Sequence, residues 1–110
     1  MQILKLILAT VVLALSTSAY ADSAVSVNTY YLTSGSISVP MISVEAEVNR
    51  VKIESVEVNR GNCETRVAPS TRKTDLVYGE EARFNVFPAS CNIKEIVVNT
   101  DLGNFGFKKN

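Results

Sequence analysis

The sequence predicts an all-β domain: a small antiparallel β-sandwich of about seven short strands, held by one disulfide. Three observations carry this. The stretch 22–110 holds 13 valines, with isoleucine and threonine adding to the β-branched load, and such side chains suit pleated strands better than helices. Apolar and polar residues alternate with period two in several places, and no segment longer than two turns keeps a 3.6-residue period. Clusters of Gly, Pro, Asn and Ser interrupt the pattern at short intervals. Strands joined by hairpins run antiparallel, and two packed layers bury them economically. A partly open β-barrel is the alternative closure.

The elements follow in order. Ala24–Leu32 alternates Val25 and Val27 with Ser26 and Asn28 and ends in Tyr30-Tyr31. Thr33-Ser34-Gly35-Ser36 is a turn cluster. Ile37–Val39 resumes a strand that Pro40 interrupts, as proline does at an edge or a strand start. Met41–Val48 is the cleanest alternation, with Ile42, Val44, Ala46 and Val48 on one face and Ser43, Glu45 and Glu47 on the other. The apolar phase then moves from Val51 and Ile53 to Val56 and Val58. A slip of one residue reverses every side chain, so a turn is expected near Asn49-Arg50 and a bulge near Glu54-Ser55. Arg60–Cys63 is a tight exit, and 64–75 is polar and reads as an exposed loop. Leu76–Tyr78 is a short strand before a Gly79-Glu80 turn. Ala82–Phe87 is a strand broken by Pro88-Ala89-Ser90, and Ile93–Asn99 is another. Thr100–Asn104 reads as a hairpin connection of about three to five residues. Phe105 and Phe107 share a face on the last strand. Val-Asn-Arg occurs at 48–50 and 58–60 and Val-Asn-Thr at 98–100, each at an expected strand end, where asparagine suits a turn.

Residues 1–21 form a different kind of segment. Lys5 is their only charge, Leu6–Leu15 is apolar apart from Thr10, and Ala19-Tyr20-Ala21 precedes Asp22. This is the pattern of a cleavable secretory signal peptide. Its apolar run is too short for a span of roughly 17–25 residues. The working domain is then 22–110, with no membrane insertion after cleavage and a periplasmic or secreted address. The two cysteines, Cys63 and Cys91, are far apart in sequence. In an oxidising compartment two lone cysteines pair. A loop of this size gives roughly 3.6 kcal/mol in the chain-entropy model. A metal site or redox pair is the alternative, but the chain has no His and no C-x-x-C spacing.

Acidic and basic side chains balance at 11 each, so no charge excess points to nucleic acid. The absence of His removes every histidine-based triad and histidine metal site. Serines occur in turns and alternating strands, and nothing in the spacing pairs one with Lys52, Lys73 or Lys94. Glu45 and Glu47 would sit ~7 Å apart on one strand face, the arrangement of a solvated face. Asp101 and Asn104 flank Gly103 without a calcium-loop pattern. No cofactor or metal is expected, and the chain reads as non-catalytic.

Recognition offers more. Tyr30 and Tyr31 are adjacent, so on a strand one ring must face outward. The neighbouring Ser34-Gly35-Ser36 turn is a natural inserting loop. Arg60, Arg66, Arg72 and Lys73 give the stretch Arg60–Lys73 four charges of one sign against Glu64. These residues are the expected partner contacts, toward a protein or glycan of the cell envelope.

The run Val56-Glu57-Val58-Asn59-Arg60-Gly61-Asn62-Cys63, then Tyr78-Gly79, then Cys91-Asn92-Ile93-Lys94-Glu95-Ile96-Val97-Val98-Asn99-Thr100-Asp101-Leu102-Gly103 and Phe105-Gly106-Phe107, resembles a pattern in a group of small exported proteins of Gram-negative bacteria. The resemblance covers about the C-terminal half. It implies export and paired cysteines and carries no activity, so no residue takes a role from it. The reading is an exported binding module, with inhibition of an envelope-directed hydrolase as one form of it. The alternative is a structural subunit of a surface assembly built by strand donation, with Ala24–Leu32 as the donor.

Overall fold

The computed structural model describes residues 23–71 and 73–109. The expected signal peptide, Asp22, Arg72 and Asn110 lie outside the described residues.

The alternating segments form eight strands: β1 (Val25–Ser34), β2 (Ile37–Ala46), β3 (Arg50–Val58), β4 (Glu64–Val67), β5 (Asp75–Val77), β6 (Glu81–Phe87), β7 (Glu95–Thr100) and β8 (Gly103–Lys108). They build two four-stranded sheets, β1-β2-β6-β4 and β5-β3-β7-β8, and every strand pair is antiparallel. Neither sheet closes on itself, so the fold is a sandwich and not a barrel. The chain passes between sheets at each connection from β2 to β7. Ile42, Val44 and Val86 of one sheet and Val51, Val58 and Val98 of the other are fully buried, and Leu76 nearly so. Full burial of such a side chain contributes about 1.5–3 kcal/mol, which makes this two-sided aliphatic layer the main support of the domain.

The bulge falls where the apolar phase breaks. In the β3–β7 ladder Ile53 pairs with Thr100 and Ser55 with Asn99. Glu54 is therefore the extra residue that lets Val51 and Ile53 share the core with Val56 and Val58.

Four local expectations are corrected. Pro40 does not interrupt its strand: β2 runs through it, paired with Tyr31 on β1. The ladder to β6 covers only Met41–Glu45 and stops one residue short of Pro40, which lacks the N–H a third strand would use. Residues 64–75 are not one loop, because Glu64–Val67 pairs with β6 as an edge strand and Asp75 opens β5. The β7–β8 connection is the two-residue turn Asp101-Leu102, since Thr100 pairs with Gly103. Thr100 Oγ1 donates to the Gly103 carbonyl at 2.8 Å and accepts from Leu102 N–H at 3.0 Å, closing the turn with a side chain. The strand expected over Ile93–Asn99 is Glu95–Thr100, and Asn99 within it donates to Ser55 Oγ at 2.7 Å.

Cys63 and Cys91 are bonded, with Cα atoms 6.3 Å apart. Cys63 lies on the β3–β4 crossing and Cys91 on the β6–β7 crossing, so the bridge ties two connections that pass between the sheets. Asn59, Arg60 and Gly61 all have positive φ (51°, 60° and 91°), a left-handed turn that Gly and Asn accept most readily. The Asn59 side chain then locks the second crossing. Its Oδ1 accepts from the backbone N–H of Lys94 at 2.8 Å and of Glu95 at 3.1 Å, and its Nδ2 donates to the Asn92 carbonyl at 2.9 Å. Arg60 Nε reaches Glu95 Oε1 at 3.0 Å. The residues Asn59–Cys63 and Cys91–Glu95 are thus held to each other and serve the frame.

Candidate functional site

From Pro40 outward the β1–β2 hairpin is two-stranded, because the β6 ladder has ended while β1 and β2 stay paired to Ser34 and Ile37. Ten residues, Tyr31 to Pro40, form this arm. Its turn is Gly35-Ser36, with φ +65° at Gly35 and no positive φ at Ser36. Positive φ at the first central position alone is the type II′ hairpin turn, which matches the natural twist of two strands. Thr33 and Ser38 hydroxyls meet at 2.8 Å across the arm.

The arm carries an unusual load for a solvated element. Tyr31, Leu32 and Ile37 are 64%, 56% and 62% exposed. Scattered exposed apolar residues are ordinary on a protein surface, but three large ones on ten residues are dense, with Leu32 and Ile37 on one face of the arm and Tyr31 on the other. Register explains the faces. Partners share a face, so Leu32 and Val39 lie with Ile37, Tyr30 and Met41 on the outer side of the sheet. Tyr31 lies with Pro40 on the core side. Tyr31 is therefore the more exposed tyrosine for a reason alternation cannot supply: it points the way the core residues point, but from the edge strand β1, where its partner Pro40 is buried and Tyr31 itself is left uncovered.

Of the expected contacts, Tyr30, Tyr31, Ser34, Gly35 and Ser36 come together on this arm, with Tyr30 half-buried and the others exposed. Leu32 and Ile37 belong with them, and composition gave no sign of it because both read as ordinary strand residues. Arg66 and Lys73 do not join, and Arg72 lies outside the described residues. Arg66 is on β4, at the far edge of the sheet from β1. It pairs with Glu64 at 3.0 Å and lies over the Phe87 ring at 4.9 Å. Lys73 pairs with Glu80 at 3.2 Å. The Glu80 backbone carbonyl accepts from Ala46 N–H, at the end of β2 opposite the turn, about 30 Å away by strand rise.

Electrostatics at that opposite end is local. A hydrogen bond from the Val77 backbone, then Lys73, holds the Glu80 carboxyl below its usual range. Hydrogen bonds from Ser43 and then Arg83 do the same for Glu81. Glu45 and Glu47 do not form a pair on one strand, since β2 ends at Ala46 and Glu47 accepts from Ser26 Oγ at 2.7 Å. Asp101 Oδ1 accepts from Lys52 N–H at 2.8 Å, so it continues the edge of β3. A shallow cleft of about 520 Å³ beside Thr71, Lys73 and Glu80 is lined by these same ion-paired residues.

No protein-family model, curated protein or solved structure matches the chain. Among the described residues no helix is long and apolar enough to cross a membrane.

Proposed function

We propose that the protein is a non-catalytic, exported binding module that engages a protein of the cell envelope through the β1–β2 arm. The observation that carries this is the arm itself. A two-stranded extension beyond the ladder to the third strand exposes Tyr31, Leu32 and Ile37 around a tight turn. Aromatic and branched side chains on a rigid hairpin suit insertion into a cleft, where such anchors dominate interface energy. Inhibition of an envelope-directed hydrolase is one form of this activity. The Cys63–Cys91 bond supports an oxidising compartment, periplasmic or secreted.

The test is capture from envelope and medium fractions with the oxidised protein and with a Tyr31→Ser/Leu32→Ser/Ile37→Ser variant. A partner retained by the first and lost by the second supports the reading. A partner retained equally by both refutes the role of the arm. Lysozyme activity unchanged at a large molar excess of the protein removes the lysozyme-inhibitor version.

A second reading, the assembly subunit, is favoured by one observation: β1 is a ten-residue edge strand without charge or proline. In this structure β1 is paired along its whole length with β2, and its start is buried at Val25, so use as a donor requires leaving those contacts. Sedimentation at rising concentration distinguishes the two readings. Oligomers abolished by Thr29→Lys favour assembly, and a monomer at all concentrations opposes it.

A further inference from the structure

The four sheet edges are unequal. β4 has four residues with Glu64 and Arg66 among them, β5 has three with Asp75, and β8 carries two glycines and Lys108. Short length and charge are ordinary protection against strand addition. β1 has neither, over ten residues.

The sandwich is also open along β1. Val25 is buried, Val27 half-buried, and Thr29 and Tyr31, which point the same way, are exposed. Two adjoining clefts of about 190 and 240 Å³ lie between this face and the ends of β7 and β8. They share Thr29, Ile93 and Lys109. The first has an apolar floor of Val27, Ile96 and Phe107.

The rim is positive. Lys109 N–H donates to the Lys94 carbonyl at 2.9 Å, bringing the two lysines side by side. Among the described residues neither ammonium has an acidic partner and no carboxylate lines either cleft. Lys108 also lines the first cleft, but its ladder partner is Glu95, which is bound to Arg60.

We propose that this seam takes an acidic, extended peptide segment of the partner protein as an added strand on β1. The proposal rests on the binding-module reading and names the chemistry of its partner. Backbone pairing with β1 supplies affinity and the alternating side chains supply choice. Residues of the added strand that face the clefts are apolar beside Val27 and acidic beside Lys94 and Lys109. A lysine-rich segment is repelled there.

The probe is a capped nine-residue peptide alternating threonine with glutamate, valine, valine and glutamate, a palindrome that serves either strand direction. Its control has lysine in place of both glutamates. The glutamate peptide binds the purified, oxidised protein at low salt, slows hydrogen exchange at alternate β1 amides, and weakens about threefold to tenfold with Lys94→Ala/Lys109→Ala. Both lysines are exposed, so that variant keeps the fold, which urea unfolding checks. No binding of the glutamate peptide at about 1 mM overturns the proposal. So does equal binding of both peptides, or protection elsewhere than β1. Slowed exchange along β1 that rises with protein concentration in the absence of peptide assigns the edge to a second copy and also overturns it. The arm variant reports separately on the wider reading: partner capture lost with Tyr31→Ser/Leu32→Ser/Ile37→Ser keeps the binding module even where the peptide fails.

Discussion

Replacing Asn59 with alanine should be among the most damaging single changes outside the core, although the residue is only half-buried. Its amide makes three hydrogen bonds to the β6–β7 crossing, to Lys94 N, Glu95 N and the Asn92 carbonyl, at 2.8–3.1 Å. Each contributes about 0.5–1.5 kcal/mol net, toward the lower figure where solvent can replace it. The backbone adds a second cost. Asn59 has φ 51°, a region alanine enters at roughly 1 kcal/mol more than asparagine or glycine. Together these give a loss of about 2.5–4 kcal/mol for Asn59→Ala. Asn59→Gly keeps the backbone relief and loses about 1 kcal/mol less than alanine. Asn59→Asp keeps the oxygen that accepts from Lys94 and Glu95, loses the donor to Asn92, and falls between wild type and alanine. Urea unfolding of the oxidised variants, read as midpoint shifts at constant slope, measures all three. A loss for Asn59→Ala within about 0.5 kcal/mol of zero, or equal losses for alanine and glycine, would refute the account of the corner.

Three further outcomes follow from the same structure. Reduction of Cys63–Cys91, or Cys63→Ser/Cys91→Ser, lowers unfolding free energy by roughly 3–4 kcal/mol, and the loss is seen as a lower urea midpoint; an unchanged midpoint contradicts a supporting bridge. Gly35→Ala costs about 1 kcal/mol from φ +65° alone, since nothing lies within 4 Å of the added Cβ; a stabilised variant would mean the turn is not type II′. Glu80 and Glu81 have folded pKa values below the ordinary 4.5. Their contribution is therefore complete above that value and is lost as pH falls through the depressed folded values. Thermal midpoints should be level from pH 7 to 5 and fall below about 4.5, with a shallower fall in Glu80→Gln/Glu81→Gln; an unaltered acid limb in that variant would contradict the assignment.

How far the sequence reached depended on whether the signal was local. The bulge at Glu54 was legible because a phase break between Ile53 and Val56 has one geometric remedy. The strands β2, β3 and β6 were legible because each buries one alternating face. β4 was not, because Glu64–Val67 has no buried run of its own; Thr65 is half-buried only through the pairing with β6, and its hydroxyl donates to the Val56 carbonyl of the other sheet at 2.7 Å. Pro40 misled because proline excludes one ladder and not both. The Thr100 turn was read as long because the side chain that closes it is invisible to composition. In the candidate site, alternation gave the faces of Tyr30 and Tyr31 but not the point where the second sheet stops covering the first. That point decides that Tyr31 is exposed, while Leu32 and Ile37 lie on the outer face that no second sheet covers. Asn59 was legible as a turn residue, while its role as a lock on residues 92–95 required the fold.

The central claim is that the β1–β2 arm is the surface that meets a partner. A photoreactive side chain at Ser36, in the turn, and in a second protein at Glu57, exposed on the β3 face of the other sheet, tests it most directly. Illumination in the envelope fraction should yield a discrete adduct from position 36 and none from position 57. An adduct from position 57 alone, or none from position 36 under conditions where the partner is captured, would contradict the claim.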